Sequence, residues 1–228
     1  MLTIQDLSFA INNSFILSEV NLELNKGECI CLFGKNGSGK STLLKCISGI
    51  YTFKGKINLD GFNQEQRAEY FGNLGFFFPD SLYDFLTVKE NYIVFLSYYG
   101  IKRSDVGKCM NDFVNAFELN DLLNAKLKTL SAGQKQRVEL ALAFMHQPKL
   151  ILFDEPLNNL DIYFIDKFYS ALNNYLLKHK ASAIIVNHDV TSTPAWINKI
   201  GIIEDKFVKT TDNNKQGLDY IAAKIYQK

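Results

Sequence analysis

The sequence predicts an α/β fold around a largely parallel sheet, and three observations support that prediction. Short apolar runs alternate with segments of helical periodicity, one run leads into a glycine-rich turn, and another ends in two carboxylates. Alternating strands and helices are typical of parallel sheets whose faces are covered by helices. The runs that we interpret as buried strands are Cys29–Phe33, Leu150–Phe153, Ala183–Val186 and Ile200–Ile203.

The remaining segments are assigned by their periodicity. Residues 1–33 alternate apolar and polar positions and predict β structure, and residues 52–80 predict more β structure with a polar loop. Residues 87–147 turn helical, with a capping box at Thr87–Glu90, and residues 161–178 predict a long helix. The polar stretch from Asp205 onward gives no structural prediction.

Composition narrows the class of protein. The chain has 228 residues, of which 47% are hydrophobic and 21% charged, which is sufficient for a core and excludes a disordered or collagen-like chain. Lys and Arg number 25 against 24 acidic residues, a net charge of +1, so we expect no nucleic-acid partner. We also expect no signal peptide, and the most apolar stretch, Tyr92–Ile101, is too short to cross a bilayer.

Four cysteines, Cys29, Cys31, Cys46 and Cys109, lack the spacing of a zinc site or of a disulfide framework. Cys29 and Cys31 lie two apart in a predicted strand and should share one face. We expect four small buried thiols in a reducing compartment.

A glycine-rich loop follows the first buried strand. Gly34–Ser41 matches G-x-x-x-x-G-K-[ST], and the helix behind it should end near Gly49. Glycines let backbone N–H groups point at a phosphate, and the helix N-terminus favours the same anion. The alternative to a phosphate loop is a glycine-rich turn with an incidental lysine, but such a turn would not require the G-x-x-x-x-G-K-[ST] spacing. The predicted nucleotide-binding residues are Gly34, Asn36, Gly37, Ser38, Gly39, Lys40 (β- and γ-phosphates), Ser41 (Mg²⁺) and Thr42 (α-phosphate).

Two carboxylates, Asp154 and Glu155, end the buried strand Leu150–Phe153. In an open parallel sheet the ligand lies at the carboxyl ends of the strands. Asp154 is suited to hold Mg²⁺, and Glu155 to deprotonate a water that attacks the γ-phosphate. Two solvated acids at a strand end are the alternative interpretation.

A third motif, Leu130–Arg137 (LSAGQKQR), follows the helical block. Together with the phosphate loop and the acid pair it resembles the ATP-binding cassette (ABC) family, whose signature is usually LSGGQ; Ala132 replaces a glycine here. Asn158–Asp161 resembles the family's D-loop, and His188 resembles its switch histidine. Taken singly, the LSAGQKQR segment is also compatible with a plain capped helix, and His188 is compatible with a structural histidine. The resemblance covers the chain to about residue 205.

The resemblance implies a P-loop NTPase fold with a mostly parallel core sheet, an N-terminal antiparallel β subdomain and an inserted α-helical subdomain. The implied division is core and β subdomain at 1–80 and 136–205, helical subdomain at 81–135, and a tail at 206–228. It implies ATP and Mg²⁺ as cofactors and a sandwich dimer, either a homodimer or a heterodimer with a similar subunit. ATP would lie between the phosphate loop of one subunit and Ser131, Gly133, Gln134 and Asp161 of the other, with His188 as sensor of the γ-phosphate.

Two positions depart from the family pattern. Asp80 stands where the family has a glutamine near Mg²⁺ and the attacking water; it keeps an oxygen ligand but loses the amide donors. We therefore expect Asp80→Gln to change kcat more than ATP affinity. Ile11 stands near the position of the aromatic residue that stacks on adenine, and Phe9 or Phe15 could substitute for it.

The resemblance is strongest to exporter-type subunits that pair with a separate membrane permease. It implies an ATPase that is cytoplasmic and peripheral on the inner face of the membrane. A soluble non-transport ATPase and a slowly hydrolysing regulatory scaffold are the alternatives. Aromatic residues that would line a permease groove, or simply form core, are Phe76, Phe77, Phe78, Tyr83 and Phe85.

Overall fold

The computed structural model describes residues 1–77, 79 and 81–226 and contains two sheets. The larger sheet has six strands, of which five are parallel and the last edge strand is antiparallel. The predicted parallel sheet is therefore confirmed. Its strands, in spatial order, are β5 (Leu74–Phe77), β6 (Leu150–Asp154), β7 (Ser182–Val186), β3 (Cys29–Phe33), β8 (Lys199–Glu204) and β9 (Phe207–Asp212).

The smaller sheet is antiparallel and has the order β2-β1-β4. Its strands are β1 (Leu2–Ile11), β2 (Ser14–Leu24) and β4 (Lys54–Leu59). Asn12 and Asn13 join β1 to β2 with φ of 49° and 62°, a conformation that asparagine tolerates in hairpin turns. Alternation along the strands buries one face, as in Leu2 and Ile4, against the main sheet.

Seven α-helices complete the described part of the chain. They are α1 (Lys40–Ile47), α2 (Arg67–Gly72), α3 (Val88–Tyr98), α4 (Val106–Ala116), α5 (Ala132–Met145), α6 (Ile162–His179) and α7 (Lys215–Tyr226). The capping box at Thr87–Glu90 is present at the start of α3, as predicted. None of the helices within residues 1–77 and 81–226 is long and apolar enough to span a bilayer.

Strand β3 lies between two cores because successive residues point to opposite faces. Cys29, Cys31 and Phe33 face the cluster formed with α3 to α6, and the shared face predicted for the two cysteines is confirmed. Ile30 and Leu32 face α1 and the antiparallel sheet. Because both faces of β3 are covered, every residue of the strand is apolar.

Several local predictions need correction. The segment 52–80 contains α2, which the sequence did not reveal because only Tyr70 is buried in this six-residue helix. The tail from Asp205, for which no structural prediction was made, contains β9, which pairs with β8, and α7, whose Ile221 is buried. Three cysteines are buried as expected, but Cys109 is only partly buried.

The sheet order explains where the site forms. Strand β7 lies between β6 and β3, and all three run parallel. Their carboxyl ends therefore meet at one edge, where the loops after β3, β6 and β7 carry the glycine-rich loop, the acid pair and His188 respectively.

Candidate nucleotide-binding site

The glycine-rich loop needs glycine at its two ends. Gly34 has φ of 149°, and a Cβ there would lie 2.6 Å from Ser38 Oγ and 2.9 Å from the Ile203 carbonyl oxygen. Gly39, with φ of 106°, packs against Leu17, where a Cβ would lie 2.9 Å from Cδ2. The backbone therefore curls in a form that a larger residue would strain, and α1 begins immediately after it.

Lys40 is buried at the start of α1, with its ammonium turned back over the loop. Nζ donates to the carbonyl oxygens of Gly34 at 2.8 Å and of Lys35 at 3.2 Å. Burial lowers the pKa of Lys40, although the carboxylates of Glu155 and Asp154 partly offset this effect. The loop thus holds a buried cation against its own carbonyl oxygens, where the ammonium can meet a bound phosphate.

Ser41 and Asp154 join α1 to the end of β6. Ser41 Oγ donates to Asp154 Oδ1 at 3.0 Å. Burial raises the pKa of Asp154, and the charge of Glu155 adds to this effect, while the bond from Ser41 opposes it. A cation would relieve this crowding of negative charge, and hydroxyl and carboxylate oxygens are ligands that Mg²⁺ prefers.

No cluster of three or more His, Cys, Asp or Glu side chains that could hold a metal occurs among the described residues. Mg²⁺ at phosphate sites needs none, because it uses one or two protein oxygens together with phosphate and water. Ser41 and Asp154 therefore fit the predicted metal. The third predicted ligand, Asp80, lies outside the described residues.

Glu155 is held by contacts on both of its carboxylate oxygens. His188 Nε2 lies 2.6 Å from Oε1, and Asn158 Nδ2 donates to Oε2 at 3.0 Å. Burial alone would raise the pKa of Glu155, but these hydrogen bonds and the charge of Lys40 outweigh it and the pKa is lowered. Glu155 is therefore ionised at neutral pH and able to accept a proton.

One cavity of about 410 Å³ is lined by most of the residues predicted for phosphate binding and catalysis, and its volume is within the usual range of ligand pockets. Gly34, Ser38 and Asp154 do not line it, although Asp154 is hydrogen-bonded to the lining residue Ser41. Its lining residues are Asn36, Gly37, Gly39, Lys40, Ser41, Thr42, Glu155 and His188.

The LSAGQ segment lies at the start of α5 and lines a different cavity, of about 360 Å³. Ser131 is the N-cap: its Oγ accepts from the Gln134 N–H at 3.3 Å, and its own N–H donates to Gln134 Oε1 at 2.9 Å. None of the residues that line this cavity lines the phosphate-loop cavity. They are Ser131, Gly133, Gln134, Arg137, Asn159, Leu160, Asp161 and Phe164.

Asp161 caps the neighbouring helix, since its Oδ1 accepts from the Phe164 N–H at 3.0 Å. The guanidinium of Arg137 lies 4.0 Å from the Phe164 ring centroid and donates from Nη1 to the Phe117 carbonyl oxygen at 3.2 Å. Sequence reasoning did not single out Arg137, because its partners are 20 and 27 residues away. The cavity is therefore lined by the N-termini of α5 and α6 and by the guanidinium of Arg137, which its contacts hold in place.

The hairpin β1–β2 lies against the phosphate loop through Ile16 and Leu17. At its tip Ile11 is 50% exposed and Phe15 is 45% exposed, so either side chain is accessible to the adenine ring of a nucleotide. The ring of Phe9 is instead stacked on Tyr51 with centroids 4.9 Å apart. Of the two predicted aromatic substitutes, the structure leaves Phe15 accessible and places Phe9 in a stack.

A phosphate loop between strand and helix, with an acid pair on a strand of the same sheet, defines a P-loop nucleotide-binding protein. A family model described as ABC transporter matches residues 17–158, which is more than half of the chain. The chain therefore belongs to the ABC transporter family and carries an ATP-binding cassette, and domains of this class are ATPases.

Three relatives illustrate the match. The ABC transporter ATP-binding protein NatA of Bacillus subtilis (strain 168) is 37% identical over 148 residues, which cover 63% of this chain and 60% of NatA. The sulfate/thiosulfate import ATP-binding protein CysA of Mesostigma viride is 34% identical over 188 residues, which cover 82% of this chain and 54% of CysA. The chain thus spans little more than half the length of these curated relatives.

The third is a solved structure, the dimeric post-hydrolysis state of an ATP-binding cassette bound to ADP and Pi. It superposes with a TM-score of 0.84 at 25% identity and covers 94% of this chain and 99% of its own. The predicted P-loop fold, with its parallel core sheet, antiparallel β subdomain and helices, is confirmed.

Proposed function

We propose that this chain binds Mg-ATP in a dimer and hydrolyses it to ADP and phosphate, and that hydrolysis drives transport through a separate membrane permease. The observation that carries the proposal is the Glu155 carboxylate, 2.6 Å from His188 Nε2, in one cavity with Lys40 and Ser41. A base, a cation and a phosphate cradle in one cavity are what phosphoryl transfer to water requires.

The residues take distinct roles in this reaction. Lys40 and the loop N–H groups hold the β- and γ-phosphates, with Thr42 near the α-phosphate and His188 near the γ-phosphate. A water oxygen attacks the γ-phosphorus, its proton passes to Glu155, and the bond from the γ-phosphorus to the β,γ-bridging oxygen breaks. Ser41 and Asp154 would hold Mg²⁺, which neutralises phosphate charge when bound.

The dimer is proposed because the two binding surfaces are separate. The Ser131–Gln134 surface lines one cavity and the phosphate loop another. A second copy, or a similar subunit, would bring its α5 N-terminus against the phosphate loop and complete the site with Ser131, Gly133 and Gln134. The dimeric cassette among the solved relatives supports this arrangement.

The permease contact is assigned to the helical subdomain, for which we propose residues 81–135. Within it Phe85 is 68% exposed and Tyr83 is also exposed, with the two rings 5.7 Å apart. Phe76, in strand β5 outside this subdomain, is exposed as well. Exposed clustered aromatic side chains favour a protein partner. Phe77, also considered for this groove, is buried in the core, and Phe78 lies outside the described residues.

A permease bound at this surface would place the chain at the inner face of the membrane. The resemblance predicts export, whereas several similar proteins, CysA among them, are named as import proteins. The direction is therefore a separate proposal, and transport assays in vesicles of known orientation would decide it.

The experiment compares ATP hydrolysis by the purified chain and by Glu155→Gln. We expect Mg-dependent release of phosphate by the wild type and its loss in the variant. Equal slow rates would contradict hydrolysis and favour a scaffold. Co-purification with an integral membrane protein, weakened by Phe85→Ala, is expected for transport, whereas purification with ribosomes or DNA would favour a non-transport ATPase.

A further inference from the structure

The loop that carries the base adopts an unusual backbone. Glu155 has φ of 53° and Asn159 has φ of 60°, and neither residue is glycine. Such conformations persist only where surrounding contacts fix them. Pro156, between them, has no N–H, so only its carbonyl group can anchor the backbone at that point.

Gln136, on α5, supplies that anchor. Its side chain is only 6% exposed, and Nε2 donates to the Pro156 carbonyl oxygen at 2.6 Å. Its Oε1 accepts from Asn159 Nδ2 at 3.3 Å. The buried amide of Gln136 is therefore hydrogen-bonded both to Pro156, the residue after Glu155, and to Asn159. This pairing leaves little freedom to the loop between them.

The same helix also packs directly on the loop. At Gly133, one turn before Gln136, a Cβ would lie 2.8 Å from the Asn159 carbonyl oxygen. A larger residue there would push the loop away from α5. Gly133 thus permits the close approach on which the two bonds of Gln136 depend.

Asn158 connects the anchored loop to the base itself. It lies between the two points held by Gln136, and its Nδ2 donates to Glu155 Oε2 at 3.0 Å. His188 holds the other oxygen from the loop after β7. Displacement of the loop would therefore remove one of the two contacts that orient the carboxylate.

We infer that Gln136 is a positioning residue for Glu155, acting through residues 156–159. The inference rests on the proposed ATP hydrolysis, because it assigns Glu155 the role of base. It also makes the position of Glu155 depend on α5, the helix whose first residues line the Ser131–Gln134 cavity.

The test replaces Gln136 with methionine, which keeps the length of the side chain and removes both hydrogen bonds. We expect kcat to fall roughly 10- to 100-fold, since small displacements of catalytic groups are costly, while the Kd for ATP changes less than about twofold.

Tyr92→Phe is the matched control. It removes another buried bond to α5, from the Tyr92 hydroxyl to the Val138 carbonyl oxygen at 3.0 Å, without touching the loop. We expect its kcat and its Kd for ATP to match those of the wild type. A Gln136→Met enzyme that behaves like this control would overturn the inference while leaving ATP hydrolysis intact.

A second variant covers the case in which Gln136→Met does not fold. Asn158 is exposed, so Asn158→Ala should fold and lower kcat, while its Kd for ATP should change less than about twofold. Where both variants fold, the double variant should be no slower than the slower single variant, because both act on one contact. Independent, additive losses, or an Asn158→Ala enzyme with unchanged kinetics, would overturn the inference. A wild-type chain without ATP hydrolysis would instead overturn the proposed function, and this inference with it.

Discussion

The phosphate-loop cavity and the Ser131–Gln134 cavity are similar in size, about 410 and 360 Å³, but their polar groups are used differently. In the first, Lys40, Glu155 and His188 present charged or titratable groups to the cavity. In the second, Ser131 and Asp161 accept hydrogen bonds from their own helices α5 and α6. The first cavity therefore has the groups that the proposed binding and hydrolysis need, whereas the second is the surface that we propose to meet the nucleotide bound by the other subunit. Substitutions in the two cavities should have separable effects.

The largest effect is expected in the first cavity at Glu155. Glu155→Gln keeps the shape of the side chain and removes the proton acceptor, so kcat should fall roughly 10²- to 10⁴-fold. ATP affinity should change little, because the phosphate contacts remain. Single-turnover hydrolysis and equilibrium binding with labelled ATP measure the two quantities. A parallel fall in affinity and rate would contradict the role of base.

Lys40→Ala tests binding in the same cavity. Loss of charge-assisted hydrogen bonds to phosphate should weaken ATP binding to the single chain by roughly 10- to 150-fold. Lys45→Ala is the control, since Lys45 is a cation on the same helix but does not line the cavity. Equal affinities of Lys40→Ala and wild type would contradict the assignment of the phosphate site.

Ser131→Ala tests the second cavity. ATP binding to the single chain should be unchanged, but ATP-driven dimer formation should weaken roughly tenfold, the effect of losing one hydrogen bond to a charged group. Loss of the helix cap should also lower stability by about 1 kcal/mol. Thr87→Ala, which removes the equivalent capping box from α3, is the matched control for that stability loss and should leave dimer formation intact.

The smallest effect is expected at the hairpin tip. Ile11→Tyr should tighten ATP binding roughly two- to tenfold, because stacking of aromatic rings contributes about 0.5–1.5 kcal/mol beyond burial of area. Comparison of the affinities of the variant for ATP and GTP shows whether the gain in affinity is specific to adenine. If Phe15 already provides the stack, Phe15→Ala should weaken binding, and Ile11→Tyr should then gain nothing.

The first cavity was more predictable from sequence than the second. Lys40, Ser41, Asp154 and Glu155 lie in motifs that follow buried strands, and strand order brings them together. The contacts of Gln136 were not predictable from sequence, because they depend on how α5 packs against the loop that contains Pro156, which lies 20 residues further along the chain. The separation of the two cavities is likewise a property of the packed helices.

Among the elements of the fold, those with strong apolar patterns were predicted and the polar ones were not. Strand β3 is an uninterrupted apolar run, whereas β9 (FVKTTD) is a mostly exposed edge strand with no comparable signal. Helix α2 fully buries only Tyr70, whose hydroxyl donates to the Ile47 carbonyl oxygen at 2.8 Å, while Phe71 is partly buried beside it. A single buried side chain gives no periodicity from which a helix can be inferred.

The central claim is that each cavity is half of a site completed by a second chain. The most direct test is the molar mass in solution of Glu155→Gln, which we expect to bind ATP and hydrolyse it only very slowly, measured by light scattering with Mg-ATP and with Mg-ADP. We predict twice the 26.0 kDa mass of one chain with Mg-ATP and the single-chain mass with Mg-ADP. A single-chain mass with saturating Mg-ATP at every protein concentration would contradict the account.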